Sequence, residues 1–338
     1  MIKRLLPLVG IACLISGAAW AQTSGARPST QGLLDQGRVE EAVTVLRRTL
    51  ATEPDNGPVC AELVTVLCNS GKADEGMAAV NSCLRRQPRE PRLFLARGAC
   101  NQTRGGFEEA AADYRRAIAL NPKNADAHNQ LGLILQARGQ HQLALQEFST
   151  AIESDPEMLV ARSNQATSLI ALGRHREAIA MLQTAITRAD DLKGLYFYGN
   201  LGIAFMKAGM PGQAEAAFLM ETAINPDNLS AHLNLGNLYV LRQRYADAIY
   251  EYNRVLIADP KNPDALVNLG AAYVMAGDPE EALTYLEPAV RLYPNSALAH
   301  HHLGLAYAGI GENGRAAAEA QKAKELGYPP PAPDPAAP

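Results

Sequence analysis

At 338 residues, 47% hydrophobic and 20% charged, the chain has the composition of a soluble, ordered protein. A formal net charge of −4 and few aromatic residues leave no basic surface interleaved with rings, so nucleic acid is not an expected partner. Length alone suggests about two domains, but a fixed internal period overrides that and points to one elongated stack.

The first residues stand apart from that stack. Lys3-Arg4 give a positive start, Leu5–Gly17 an apolar core and Ala19-Trp20-Ala21 an A-x-A cleavage site. Together they read as a secretory signal peptide over residues 1–21. Pro7 and Gly10 break the apolar run, which is too short for a transmembrane span, and no later stretch is apolar enough for one. Gly10-Ile11-Ala12-Cys13 loosely matches a lipobox but lacks leucine three residues before the cysteine, so a lipid anchor at Cys13 is not expected. The expected location is periplasmic or extracellular. Cleavage would also remove Trp20, the single tryptophan.

Residues 22–330 repeat with a period of thirty-four. Leu229–Asn262 is the clearest copy: two short amphipathic helices joined by a tight turn. His232, Leu235 and Tyr239 share one face of the first helix, and Ala248, Tyr252 and Val255 share one face of the second. Gly236 and Ala248 are small where two axes must approach. Asp259-Pro260 closes the second helix, because proline disfavours helical geometry in the residue before it. Units begin near Thr23, Gly57, Pro91, Ala125, Leu159, Leu195, Leu229, Pro263 and Ala297. The small residue returns as Ala42, Gly76, Ala110, Ala144, Ala178, Ala214, Ala282 and Ala316, and the closing proline as Pro54, Pro88, Pro122, Pro156, Pro226 and Pro294.

Departures from the period follow in chain order. Pro28 interrupts the first helix of the first unit, leaving Ser29–Gln36 to form a cap. In the fifth unit Ala166 replaces the glycine and Asp190 the closing proline, and Lys193-Gly194 is inserted, so 189–195 is the expected irregular joint. Glu221 stands where alanine is expected in the sixth unit. Pro288 falls inside the second helix of the eighth, where an interior proline costs about 3 kcal/mol and predicts a kink near Thr284–Pro288. Pro211 and Pro279 sit at helix starts, where proline is tolerated. A polar helix, Arg315–Leu326, closes the stack with a soluble face. Residues 331–338 form a Pro/Ala tail with no apolar face to pack.

Leu131-Gly132, Ala144, Phe148, Ala151 and Pro156, then Leu235-Gly236, Tyr239, Ala248, Tyr252 and Pro260, carry a resemblance to the tetratricopeptide repeat (TPR) family. It covers roughly residues 23–330, with Phe94, His128, Tyr198, His232 or Leu266 at the fourth position and never tryptophan. The resemblance implies an all-α, right-handed superhelical solenoid of about nine antiparallel helix pairs. It says little of function, because such repeats serve many unrelated processes.

Enzyme signatures are absent: no Gly-rich phosphate loop, no G-x-S-x-G elbow and no H-E-x-x-H. No catalytic residue, cofactor or metal is therefore expected. His300-His301-His302 cannot all face one ion, since adjacent helical residues point about 100° apart, and His300 takes the packing position of His128 and His232. Cys60, Cys68, Cys83 and Cys100 fall within two consecutive repeats, and cysteines of an exported chain tend to pair. Antiparallel helices favour Cys60–Cys83 and Cys68–Cys100; the alternative is four small buried thiols. Arg85, Arg86, Arg89, Arg92, Arg97, Arg104, Arg115 and Arg116 crowd one region among Glu90, Glu108, Glu109 and Asp113, which reads as a solvated edge or as a dock for an anionic partner.

The pattern that suggests function is on the first helices. Position 6 of successive units reads Gln130, Asn164, Asn200, Asn234, Asn268, His302, on the side facing away from the packed positions. Asparagine is a middling-to-poor helix former, so its return at mid-helix needs a reason: structural inheritance, since asparagine is common at this position in the family at large, or binding. Similar ladders in some TPR proteins, including the repeats of O-GlcNAc transferases, hold the backbone of an extended peptide, and each amide offers it both a donor and an acceptor. Val160, Ile170, Tyr196, Ile203, Met206, Val240, Leu241, Val274, Met275 and Leu305 lie on or beside that face, which the resemblance places on the concave side. The second helices are expected to show a charged convex surface of Arg176, Glu177, Asp247, Glu251 and Glu281. The expected function is a non-catalytic scaffold binding a protein or peptide segment, for assembly of an envelope complex. The alternative is a substrate-recruiting subunit of an envelope enzyme for polysaccharide synthesis or protein modification.

Overall fold

The computed structural model describes residues 30–189 and 196–328. The leader with Cys13, the Asp190 and Lys193-Gly194 irregularity and the C-terminal tail lie outside them. Eighteen α-helices and no strand make up the regular structure of the described residues. They pair within each unit: α1 (Thr30–Asp35) with α2 (Val39–Thr52), α3 (Gly57–Asn69) with α4 (Ala73–Arg86), and α5 (Pro91–Thr103) with α6 (Phe107–Leu120). α7 (Ala125–Ala137) and α8 (His141–Ser154) follow, then α9 (Leu159–Ala171) and α10 (His175–Arg188). After these come α11 (Phe197–Lys207) with α12 (Pro211–Ile224), α13 (Leu229–Leu241) with α14 (Tyr245–Ala258), α15 (Pro263–Ala276) with α16 (Pro279–Leu292), and α17 (Ala297–Gly309) with α18 (Asn313–Glu325). The chain divides into two compact units, the first ending at Met181 and the second beginning at Leu182, within α10.

Each helix pair is cut to length by a few residues at fixed places. The last residue of one repeat caps the first helix of the next, where the side chains of Asn56, Asn124, Asn228, Asn262 and Ser296 accept from a backbone N–H three residues on. Between the two helices, position 15 turns with positive φ in every repeat, from Gly37 to Gly311. Glycine adopts that conformation without steric cost; Gln243, at φ 59°, is the exception. α1 is held to six residues, and α16 continues as one helix to Leu292 with Pro288 inside it.

In four repeats the glycine at position 8 is required by an aromatic ring opposite it. A Cβ built on Gly236 would lie 2.5 Å from the Tyr252 ring, and one on Gly98 or Gly132 would lie 2.6 Å from Tyr114 or Phe148. Gly202 meets Phe218 in the same way. The first helix therefore settles onto an aromatic face of the second, and Tyr114, Phe148, Phe218 and Tyr252 are among the largest fully buried side chains.

Two disulfides tie the second and third repeats. Cys60–Cys83 joins α3 to α4 across 23 residues, and Cys68–Cys100 joins α3 to α5 across 32, with Cα atoms 6.7 and 5.4 Å apart. All four cysteines are buried. Gly76 explains itself here: it is the one glycine in a column of alanines, and a Cβ on it would collide with Cys68 Sγ.

Candidate functional site

Position 6 of the first helices is less open than one isolated helix suggests. Gln130 is buried, and Asn164, Asn200, Asn234, Asn268 and His302 are half-buried. The expectation of a solvent-facing ladder is corrected by the neighbouring repeat, whose first helix covers one flank. Asn164 Nδ2 donates to Asn129 Oδ1 at 3.0 Å, and the Gln136 amide reaches the Asn164 carbonyl at 3.5 Å. In the second compact unit Asn268 Nδ2 donates to Asn237 Oδ1 at 3.1 Å, and Tyr252 Oη donates to that same oxygen at 2.7 Å. At Asn164 and at Asn268 the ladder thus ties one first helix to the first helix before it.

Apolar side chains stand beside it. Leu241 is 67% exposed and Met275 47%; Tyr196, Leu298 and Leu305 are also exposed, and Ile203 is half-buried. Positions 2, 6, 9 and 13 of α11, α13, α15 and α17 hold two charged residues in all, Lys207 and Asp264. Burial pushes His302 down to about 4, so it too is uncharged at neutral pH. Such a face, with amides between exposed aliphatic side chains, suits an uncharged extended segment better than an ionic one. In the first compact unit Gln130 and Asn164 lie on α7 and α9, flanked by exposed Val160 and half-buried Ile170.

The other expected features fall out differently. Glu251 is not on a solvated surface: it is buried and lies 2.6 Å from His232 Nδ1. The second helices also expose Leu143, Leu219, Met220, Tyr250, Ile257 and Leu292, so their outer face is not uniformly charged. His128, His232 and His300 share one arrangement that the sequence reading missed. Nδ1 meets Glu147, Glu251 or Glu319 at 2.5–2.6 Å, and Nε2 meets the carbonyl of Pro122, Pro226 or Pro294 at 3.0–3.2 Å. Each ring locks the preceding loop to the second helix of its own repeat. The signal was available, since glutamate occupies position 23 in the three repeats with histidine at position 4 and in no other. The hydrogen bond that His128 Nδ1 makes to the Glu147 carboxylate raises the His128 pKa above its ordinary value, against the effect of burial.

His301 stacks on Tyr328 with ring centroids 4.1 Å apart, and no group of three or more metal-ligating side chains gathers among the described residues. The arginine-rich stretch is partly tied into the fold. Arg97 grips Asp113 with Nε and a terminal nitrogen, Arg104 pairs with Asp74, and Arg86 donates to the Pro54 carbonyl. Arg97 and Arg116 both lie over the Phe94 ring.

Glu221 is 1% exposed. One carboxylate oxygen accepts from Gly199 N at 2.8 Å; the other accepts from Asn225 Nδ2 at 2.8 Å and Asn228 Nδ2 at 3.0 Å. α11 starts after Tyr196, which has φ 54° and provides no side-chain cap, so Glu221 caps that helix from the next one.

Comparison with known proteins agrees with this architecture. Tetratricopeptide repeat profiles match residues 33–100, 135–196, 200–263 and 240–306, and a TPR repeat profile matches 103–139. Tetratricopeptide repeat protein 16 of Homo sapiens is 36% identical over 62 residues, which are 18% of this chain and 7% of that protein. The match therefore spans a small part of that relative. Among solved structures, the Cut9–Hcn1 hetero-tetramer of APC/C superposes with a TM-score of 0.64 at 19% identity, covering 82% of this chain and 54% of that one. Pseudomonas aeruginosa pilF gives 0.52 at 25% identity over 63% of this chain and 96% of that one. A tetratricopeptide repeat protein from Parabacteroides merdae gives 0.55 at 17% over 71% and 94%.

Proposed function

From the premise that this chain belongs to the tetratricopeptide repeat family, we propose that it is a non-catalytic scaffold that holds an extended, weakly charged protein segment. The segment lies along the first helices of the second compact unit. The observation that carries this reading is the face itself. Half-buried Asn200, Asn234 and Asn268 alternate with exposed Tyr196, Leu241, Met275 and Leu305, and Lys207 and Asp264 are its only charged members. Repeat proteins use such surfaces to take main-chain bonds from amides and side chains into apolar gaps.

The scaffold works outside the cytoplasm, in assembly of an envelope complex. The leader over residues 1–21 supports export, and so do two buried disulfides with a glycine at the one position where alanine would strike a bridge sulfur. A purified mature form without tryptophan fluorescence fits cleavage after Ala21; fluorescence from Trp20 would contradict it.

Pull-down from an envelope extract tests the binding face. Wild type is compared with Asn200→Ala/Asn234→Ala/Asn268→Ala and with Leu241→Glu/Met275→Glu. Both variants are expected to lose partners that wild type retains. Equal retention by all three removes the first-helix face from the mechanism, and turnover of any substrate by the purified chain alone removes the scaffold reading.

A further inference from the structure

The outer face of α12 has a composition that no other repeat shares. Ala216, Leu219, Met220 and Ala223 occur at i, i+3, i+4 and i+7, so they occupy an arc of about 100° on one side of the helix. All four are exposed, Leu219 and Met220 at 45% each. At the positions of Leu219-Met220 each of the other eight repeats has at least one polar or charged residue, from Arg47-Arg48 to Gln321-Lys322. Neither acidic residue of α12 interrupts the stripe: Glu221 is buried, and Glu215 is held by Arg242 and Arg244.

The stripe also has a symmetry. Small, large, large, small reads the same in both directions about the midpoint between Leu219 and Met220. A second α12 laid antiparallel sets Ala216 opposite Ala223 and Leu219 opposite Met220, twice over. The small residues at both ends let the axes close to the 8–10 Å of packed helices. An uncharged face meets no like charge in its own copy and offers no counter-charge to an ionic partner. We propose that this face is where a second copy of the chain docks, through a two-fold antiparallel contact of α12 on α12.

One helix pair is a small interface, so the association is weak and reversible. Sedimentation velocity on the full chain between about 1 and 200 µM shows it as mass action: the mean mass climbs from one chain towards two. Leu219→Glu/Met220→Glu stays at one chain throughout and keeps the wild-type circular dichroism. Leu143→Glu, which removes a similarly exposed leucine from α8, leaves the wild-type climb intact. Wild type that remains single at every concentration overturns the proposal, and so does an equal loss with Leu143→Glu.

Cysteine cross-linking reads the geometry independently. Seven residues separate 216 from 223, about 10 Å along the axis, too far to bridge within one helix. Ala216→Cys/Ala223→Cys is therefore expected to give covalent dimers under mild oxidation, and Ala216→Cys alone is not. Equally fast dimers from Ala216→Cys alone overturn the antiparallel arrangement.

Discussion

Glu221→Ala is the change that averaging the repeats recommends, since Ala117, Ala151, Ala185, Ala289 and Ala323 occupy the equivalent position. Consensus changes of this kind commonly stabilise by about 0.5–2 kcal/mol. The structure gives the opposite sign. Three donors converge on the Glu221 carboxylate at 2.8–3.0 Å, and two of them, Gly199 N–H and the Asn225 amide, are buried. Hydrogen bonds to a charged acceptor contribute about 1.5–3 kcal/mol each, and a buried donor left alone costs about 1–3 kcal/mol. Removing the carboxylate also removes its own desolvation cost, several kcal/mol, and alanine gains a few tenths in helix propensity. The balance is a loss of about 2–4 kcal/mol, felt at the start of α11, which has no side-chain cap of its own. Native-state hydrogen exchange of α11 should therefore accelerate by roughly 30- to 1,000-fold, the same energy written as a ratio. Glu221→Gln keeps one of the two accepting oxygens and is expected to fall between. Unchanged or slower exchange in Glu221→Ala refutes the capping role.

The remaining predictions use the same packing logic. Gly236→Ala drives a methyl group into the Tyr252 ring, an overpacking cost of about 1–3 kcal/mol, and Tyr252→Leu in the same chain should recover part of it in a thermal melt. Gly76→Ala matches every other repeat yet strikes Cys68 Sγ; it should lower the melting temperature of the oxidised chain and have little effect after reduction. Loops of 23 and 32 residues make each bridge worth about 3–4 kcal/mol by chain entropy, so reductant should cost the oxidised chain several kcal/mol in urea titration. His128, with its pKa raised by Glu147, contributes fully below the ordinary histidine value near 6.5 and loses that contribution as pH rises through the raised value. Urea midpoints of wild type should accordingly fall between about pH 6 and 8 more than those of Glu147→Gln.

The register was legible because each repeat restates it. Gly236 and Tyr252, or Gly132 and Phe148, recur at one spacing, and closing prolines mark every boundary but the fifth. Contacts that leave the repeat were not legible in the same way. A helical wheel of α7 places Gln130 outward, but the wheel does not contain the first helix of the neighbouring repeat, and Gln130 is buried. Glu251 reads as a surface charge until His232, nineteen residues earlier, is brought against it. Glu221 reads as a blemish in an alanine column, because the uncapped start of α11 that it serves is a property of the backbone. The candidate face was read from residue types at position 6, while its amide stitching from Asn268 to Asn237 needed coordinates.

The glycine and the ring it admits lie sixteen residues apart, inside a single repeat. Genetic duplication or loss of one thirty-four-residue block therefore carries both halves of that contact together, and the chain can grow or shrink by whole blocks with its core intact. Cys68–Cys100 sets the limit to this freedom. Its sulfurs belong to different blocks, so the second and third must be inherited as a pair, and a recombination joint between them would leave two orphaned thiols in the stack.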